Sequence, residues 1–383
     1  MVSNLSWVIL CLVRICHLSD SHLGAGESHR RRAPSGLTER QEDIIGSFGE
    51  AIEKIIAIKP DICIHSGDLF HAVRPLNSIM ARAAEQLHRL ATEKGIPTVI
   101  IAGNHDAPRQ PHVGAAIDVF RRIGNLCVAA TGRLERFRIG SVCIHALPHC
   151  LTISDLKREL ERCIPDTAVV FNVLVMHGVA AGMPEFSMAD LGEQEVPLEI
   201  MDQFDYTALG HYHNFCKVGA RAWYAGSTER LSQTERDSAK GFAVVELRPF
   251  SVRFEPVRSR VMIDLEPIDA SGQRGDQLAE TLRNKLDEIA AGDKIVRVKI
   301  ANVKEETLHT LPAGVLAELR QKAYALDLRF ERSAPSEEVS RFGRSAIGRL
   351  DQSFVQFVEN SDLGGFDKER LIREALKYLG ADV

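Results

Sequence analysis

Short apolar runs at residues 14–17, 61–65, 97–102, 141–147, 169–176 and 206–209 alternate with stretches in which apolar side chains recur every three or four positions. The runs have the length of strands, and several are too continuously apolar to keep one face in water, which predicts central strands of a layered α/β domain. Between them, Ile44, Ile45, Phe48, Ile52, Ile55 and Ile56 mark a helix over residues 38–58. Leu76, Ile79, Met80, Ala83, Ala84, Leu87 and Leu90 mark a second over residues 76–91. From residue 222 the runs 222–225, 242–247 and 252–257 follow one another with little between, as antiparallel strands do. The predicted sheet structure therefore mixes parallel and antiparallel pieces.

A smaller alternation follows: strand 261–265, helix 277–290, strand 295–300, helix 313–322 and strand 326–330, the pattern of a small α+β domain. The chain then turns polar around Pro335, Ser336, Glu337 and Glu338, which is linker composition. Two short amphipathic helices come last, one carrying Ile347, Leu350, Phe354, Phe357 and Val358, the other Leu371, Ile372, Ala375, Leu376 and Leu379. Neither is long enough to be stable alone in water, so each must bury its stripe on a partner or on its own chain. The expected plan is a first domain at 13–257, a second at 258–331, a linker at 332–345 and a helical tail at 346–383.

The one membrane-like stretch, residues 7–13, is too short to span a bilayer and lacks the flanks of a signal peptide, so no membrane partner is expected. Because Val13 reads as the opening of a strand, residues 1–12 read either as an over-called start or as an extension of that strand. With 383 residues, 45% of them hydrophobic and 26% charged, the chain has globular composition and room for two or three domains. Lys and Arg number 47 against 52 Asp and Glu, a net charge of −5, so no global positive field recruits nucleic acid. Any such site must be local. Basic residues outnumber acidic ones between 217 and 260, making Arg230, Arg236 and Lys240 candidates; Arg30, Arg31 and Arg32 read either as a phosphate grip or as a solvated loop. The eight cysteines show no C-x-x-C pair, the usage of reduced thiols in the cytoplasm.

Five short motifs sit at the carboxyl ends of predicted strands, where open α/β sheets gather their sites. They are Asp20-Ser21-His22, Gly67-Asp68, Gly103-Asn104-His105-Asp106, His177-Gly178 and Gly210-His211-Tyr212-His213. Together they supply an oxygen and imidazole set suited to two divalent first-row metals, with Asp68 able to bridge. His17 and His65 also end apolar runs, and they read as satisfied core residues rather than ligands.

This ordered series resembles the calcineurin-like metallophosphoesterase family. Leu18-Ser19-Asp20-Ser21-His22-Leu23-Gly24, Ser66-Gly67-Asp68-Leu69-Phe70-His71 and Tyr224-Ala225-Gly226-Ser227 narrow the likeness to its SbcD-type double-strand break repair nucleases, over nearly all of residues 14–380. The resemblance implies an α/β mixed-sheet sandwich with a small α+β DNA-capping domain and a C-terminal helical tail. It implies two Mn2+ per chain, one held by Asp20, His22, Asp68 and His213, the other by Asp68, Asn104, His177 and His211. His105 then stabilises the transition state or protonates the departing alkoxide, with Asp106 as its orienting neighbour, and His71 serves exonuclease action.

The activity implied is 3′–5′ exonuclease and single-strand endonuclease cleavage of DNA, in the cytoplasm at the nucleoid. Implied partners are an SbcC-like ABC ATPase bound through residues 346–380 and a second copy of the chain, met through the helices near 76–91 and 113–123. No G-x-x-x-x-G-K-[ST] occurs, so ATP hydrolysis falls to the partner. Two alternatives are a phosphoesterase for a small phosphate ester or cyclic nucleotide, and a non-catalytic scaffold for a chromosome-organising ATPase. The second domain and tail count against the former, the complete ligand set against the latter.

Overall fold

The computed structural model of the chain describes residues 12–108, 110, 113–181, 195–332, 354–355, 358 and 367–378. Internal contacts divide it into two units: residues up to 264 with 290–296 and 321–325, and residues 265–289, 297–320 and those from 326 on.

In the first unit, β1 (Arg14–Leu18), β2 (Ile62–His65), β3 (Thr98–Ile101) and β4 (Leu126–Ala129) run parallel in that order. A second sheet is built from β5 (Glu135–Ile139), β6 (Val142–Leu147) and β7 (Phe171–His177), followed, after the small ribbon β8 (Val179–Ala180) with β9 (Glu195–Val196), by β10 (Tyr206–Gly210), β11 (Cys216–Lys217) and β12 (Ala222–Tyr224). Its order is β11-β12-β10-β7-β6-β5, parallel from β12 to β6 with antiparallel edges. The hairpin of β13 (Gly241–Leu247) and β14 (Phe250–Pro256) completes the first sheet, β13 lying antiparallel to β1.

Alternation along each strand sorts side chains between layers. Ile15, Ile64, Val99, Ile101 and Val245 of the first sheet meet Ile144, Val173, Val175, Tyr206 and Ala208 of the second in one buried cluster, which makes the unit a mixed-sheet sandwich. Cys16, Leu18, Cys63 and Ile100 point the other way, toward the buried stripe Ile44, Phe48, Ala51, Ile52 and Ile55 of α1 (Glu39–Ile58). Thr38 caps that helix by accepting from the Gln41 amide while the Gln41 side chain returns a bond, and Lys59 in the left-handed region closes it before Pro60. Each fully buried Ile or Phe of the stripe contributes roughly 1.5–3 kcal/mol, against about 1 kcal/mol for the cap. Packing, more than the cap, holds the helix.

The helix expected over 76–91 is α2 (Asn77–His88), continued by a π-helical turn, Arg89–Glu93. Ile79, Ala83, Leu87, Leu90 and Ala91 are buried in the chain's own core, so the stripe expected at a contact between copies faces inward. The segment near 113–123 is a 3-10 helix, Ala116–Arg122, with Ile117 and Phe120 turned inward likewise. Leu76, Val113 and Val119 remain exposed. On the outer face of the second sheet, Leu156 and Leu160 of α3 (Ile153–Leu160) and Met201 of α4 (Leu198–Met201) cover Leu174, Met176 and Leu209.

The smaller unit is α+β, as its pattern predicts. Its sheet is β15 (Met262–Asp269), β16 (Ile295–Val303) and β17 (Ala325–Arg332) in that order. With it go α5 (Gly275–Glu288), α6 (Glu305–His309) and α7 (Val315–Lys322), whose Leu278, Leu282, Leu286 and Leu319 are buried. Of the tail, α8 (Lys368–Tyr378) is described; most of the expected linker and the first tail helix, and residues 1–11, lie outside the described residues. No helix among the described residues is long and apolar enough to cross a membrane.

Candidate metal centre

The parallel strands β1, β2, β3, β7 and β10 each end in one of the five motifs, and the sandwich brings these ends together. The loops leave their strands sharply: Asp20, His22, Asp68 and His211 all have positive φ, at 50°, 44°, 53° and 103°. Four non-glycine residues in that region cost free energy that the surroundings must offset, a concentration typical of functional sites. The β1 and β2 loops are bonded to each other, Asp20 N to Gly67 O and His22 N to Asp68 O, both at 3.0 Å. Close approach explains two glycines. A Cβ on Gly103 would stand 2.1 Å from Asp68 Oδ1, and one on Gly67, at φ +104°, would stand 2.4 Å from His177 Nδ1.

All seven residues expected as ligands converge. Asp68 Oδ2 lies 3.5 Å from His22 Nε2 and 3.4 Å from His177 Nε2, between the two groups of donors. On one side, His213 Nε2 stands 3.2 Å from His22 Nε2 and 3.9 Å from Asp20 Oδ1. On the other, Asn104 Oδ1 is 3.0 Å from His177 Nε2 and 3.2 Å from His211 Nδ1. Asp20, His22 and His213, and again Asp20, Asp68 and His177, bring their donor atoms within 4.8 Å of one another. Two buried carboxylates, four imidazoles and an amide oxygen, with no thiolate, fit a pair of hard to borderline divalent cations.

The surroundings aim these donors. The His177 Nδ1–H donates to Ser66 O at 2.9 Å, which turns Nε2 toward the centre, and the His213 Nδ1–H donates to Glu235 Oε1 at 3.0 Å with the same effect. Asp20 accepts from Ser19 Oγ and from the His211 amide; Asp68 Oδ1 accepts the His105 amide at 2.8 Å. Burial pushes His177 down, but Asp68 and Asp20 outweigh it and raise the ring to about 9. For His22 burial wins, and the ring is held well below its ordinary value. Asp68 itself is lowered, because the neighbouring His177 overcomes its burial.

His105 and His71 stack at the mouth with ring centroids 5.3 Å apart. The His105 Nδ1–H donates to His71 O at 2.8 Å, which leaves Nε2 as the ring nitrogen outside this bond; His71 Nδ1 lies 3.4 Å from His22 Nδ1. Asp106 does not play its expected part. Its fully buried carboxylate accepts from the amides of Leu69, Phe70 and Gly103, at 3.0, 2.9 and 3.2 Å, and so ties the β3 loop to the β2 loop instead of orienting His105.

One of the basic candidates is corrected too. Lys240 is buried, its ammonium 2.6 Å from Glu235 Oε2, which removes it from any surface patch. Arg230 donates to Ser259 Oγ and Arg260 O, and Arg236 pairs with Asp264 and Asp237. Arg31 donates to Ala323 O beside the Tyr324 ring, while Arg30 and Arg32 are exposed. His17 bridges Tyr206 Oη and Ser66 Oγ, at 2.8 Å each, and His65 meets Ser21 Oγ at 3.0 Å; burial drives both rings to about 3, so they stay neutral core residues. His149, just beyond β6, is a further histidine close to the centre, where burial and then the nearby His177 lower its ring to about 4. Its signal was the same as for the others, a histidine closing an apolar run.

The model of the calcineurin-like phosphoesterase family matches residues 13–215, which contain every one of these convergent donors. The chain belongs to that family. Among curated relatives of this calcineurin-like phosphoesterase, the DNA double-strand break repair protein Mre11 of Haloferax volcanii is 29% identical over 294 residues, 76% of this chain and 61% of that one. Its namesake in Methanococcus maripaludis is 31% identical over 61% of this chain and 63% of its own, and that of Methanopyrus kandleri 26% identical over 88% and 79%. The chain thus spans under two thirds of the length of the first two. Among solved structures, a dimetal phosphatase of Danio rerio aligns at a TM-score of 0.37 and 9% identity over 64% of this chain and 96% of that one, too distant to add to the assignment.

Proposed function

We propose that the chain is a metal-dependent DNA nuclease of double-strand break repair, hydrolysing phosphodiester bonds as a 3′–5′ exonuclease and single-strand endonuclease. The observation that carries this reading is the donor set around Asp68 Oδ2, complete on both sides, in a chain whose relatives are named for that repair. Asp20, His22, Asp68 and His213 would hold one cation, and Asp68, Asn104, His177 and His211 the other; we assign both as Mn2+. Such a pair supplies Lewis acidity toward the phosphodiester and lowers the pKa of water. The chain's own part falls to His105, whose Nδ1–H is committed to His71 O and whose Nε2 is left to carry a proton to the departing sugar oxygen, a poor leaving group. His71 supports exonuclease action from the stacked ring beside it.

Residues 258–331 act as the DNA cap, with the exposed Arg30 and Arg32 among the cations that meet phosphate. The tail, residues 346–380, binds an SbcC-like ABC ATPase, and the complex works in the cytoplasm at the nucleoid. A homodimer rests on exposed Leu76, Val113 and Val119 rather than on the inward stripe of α2; sedimentation that finds only monomer at micromolar concentration removes it. The deciding experiment titrates Mn2+ into the protein with end-labelled duplex and hairpin DNA, using a chromogenic phosphomonoester as control. Mn2+-dependent shortening of labelled DNA is expected. Turnover of the phosphomonoester with intact DNA overturns the reading.

A further inference from the structure

His213 is less enclosed than its neighbours, its side chain 27% exposed where those of His22 and His177 are 3% and 0%. Packing alone does not hold such a ring. The chain supplies another restraint from the loop between β12 and β13. Glu235, in the short 3-10 turn Gln233–Glu235, accepts the His213 Nδ1–H on Oε1, and on the same oxygen a bond of 3.0 Å from Ser232 Oγ. Its other oxygen takes Lys240 Nζ at 2.6 Å and the Leu231 amide at 3.3 Å. The Lys240 ammonium, fully enclosed, also donates to the His213 carbonyl and to Ser227 Oγ, each at 2.9 Å.

One lysine therefore grips the backbone of His213 and, through Glu235, its ring. A buried ammonium and carboxylate recover their lost hydration only with good geometry and further hydrogen bonds, which both have here. The pair gives His213 an ionised acceptor while adding little net negative charge beside Asp20. A carboxylate on the far nitrogen fixes the tautomer of a ligating imidazole and strengthens its donor atom.

We propose that Glu235 and Lys240 are positioning residues that lock His213 in its Nδ1–H form and aim Nε2 at the cation shared with Asp20 and His22. This rests on the metal-centre reading above. The test is Mn2+ calorimetry on the full chain, read beside the melting temperature of the metal-stripped protein. Wild type is expected to bind two ions. The near-isosteric Glu235→Gln is expected to weaken one of them by roughly 10- to 100-fold while leaving the other ion and the metal-free melting temperature nearly unchanged. Glu235→Asp, which keeps the charge, should recover part of the affinity. Should Glu235→Gln prove unstable, Glu235→Gln/Lys240→Met removes the stranded cation too and must show the same selective loss.

Wild-type affinity for both ions in these variants overturns the inference. So does equal weakening of both ions with a fallen metal-free melting temperature, the mark of a loop staple. A wild type that binds two ions yet cleaves no DNA sinks the nuclease reading and leaves this one standing; one that binds no Mn2+ overturns both.

Discussion

His105 and Asp68 touch, yet their substitutions should separate. The bond between them comes from the His105 backbone amide, so His105→Ala keeps it and keeps the support of the Asp68 carboxylate. It removes only the ring at the mouth. We expect His105→Ala to bind both Mn2+ ions by elemental analysis and calorimetry while turnover falls by about 10²–10⁴-fold, the usual worth of general acid catalysis. Asp68→Ala removes the oxygen between the two donor groups and should lose metal along with activity. If His105→Ala also came back stripped of both ions, its assignment to proton transfer would be wrong.

At the level of elements, the site is a set of strand ends held in register by their loops, and Asp106 is the tie between two of them. Its carboxylate satisfies three amides that no water reaches, so Asp106→Ala orphans all three. With each buried unsatisfied group worth about 1–3 kcal/mol, a loss of at least about 3 kcal/mol follows. For a unit of this size that corresponds to a fall in melting temperature of roughly 6–12 °C by calorimetry. A variant that melts with wild type would mean that the loops do not depend on this tie. The same tie explains why Asp106 cannot serve His105: adjacent in sequence, the two side chains leave the β3 loop in different directions, one inward and one toward the mouth.

The whole molecule raises a question of division of labour. Among the described residues, every convergent donor lies in the first unit. On the proposed function, truncation after Ser345 should therefore leave Mn2+-dependent DNA cleavage and the main thermal transition nearly intact while abolishing co-purification with an SbcC-like ATPase. A truncated protein that melts several degrees lower, with no partner present, would assign the tail to the chain's own fold instead.

The sequence by itself determined the features that local chemistry dictates. Apolar runs buried on both faces announced β1, β2, β3, β6, β7 and β10, the three- and four-residue period announced α1 and α2, and a ligand motif stood directly after five of those strands, so the donor set could be read in order along the chain. Some elements were not legible: β5 alternates charged and apolar positions at a sheet edge, and α3 spans eight residues, too few for a period to declare itself. Tertiary structure alone decided directions. Lys240 stands among basic residues and reads as surface, but the fold closes over it and pairs it with Glu235. The stripe of α2 suits a second copy as well as a sheet, and only the sandwich turned it inward. Periodicity records how often an apolar side chain recurs and charge records what a side chain carries; what a side chain faces depends on residues far away in the chain, and that is settled only when the strands assemble.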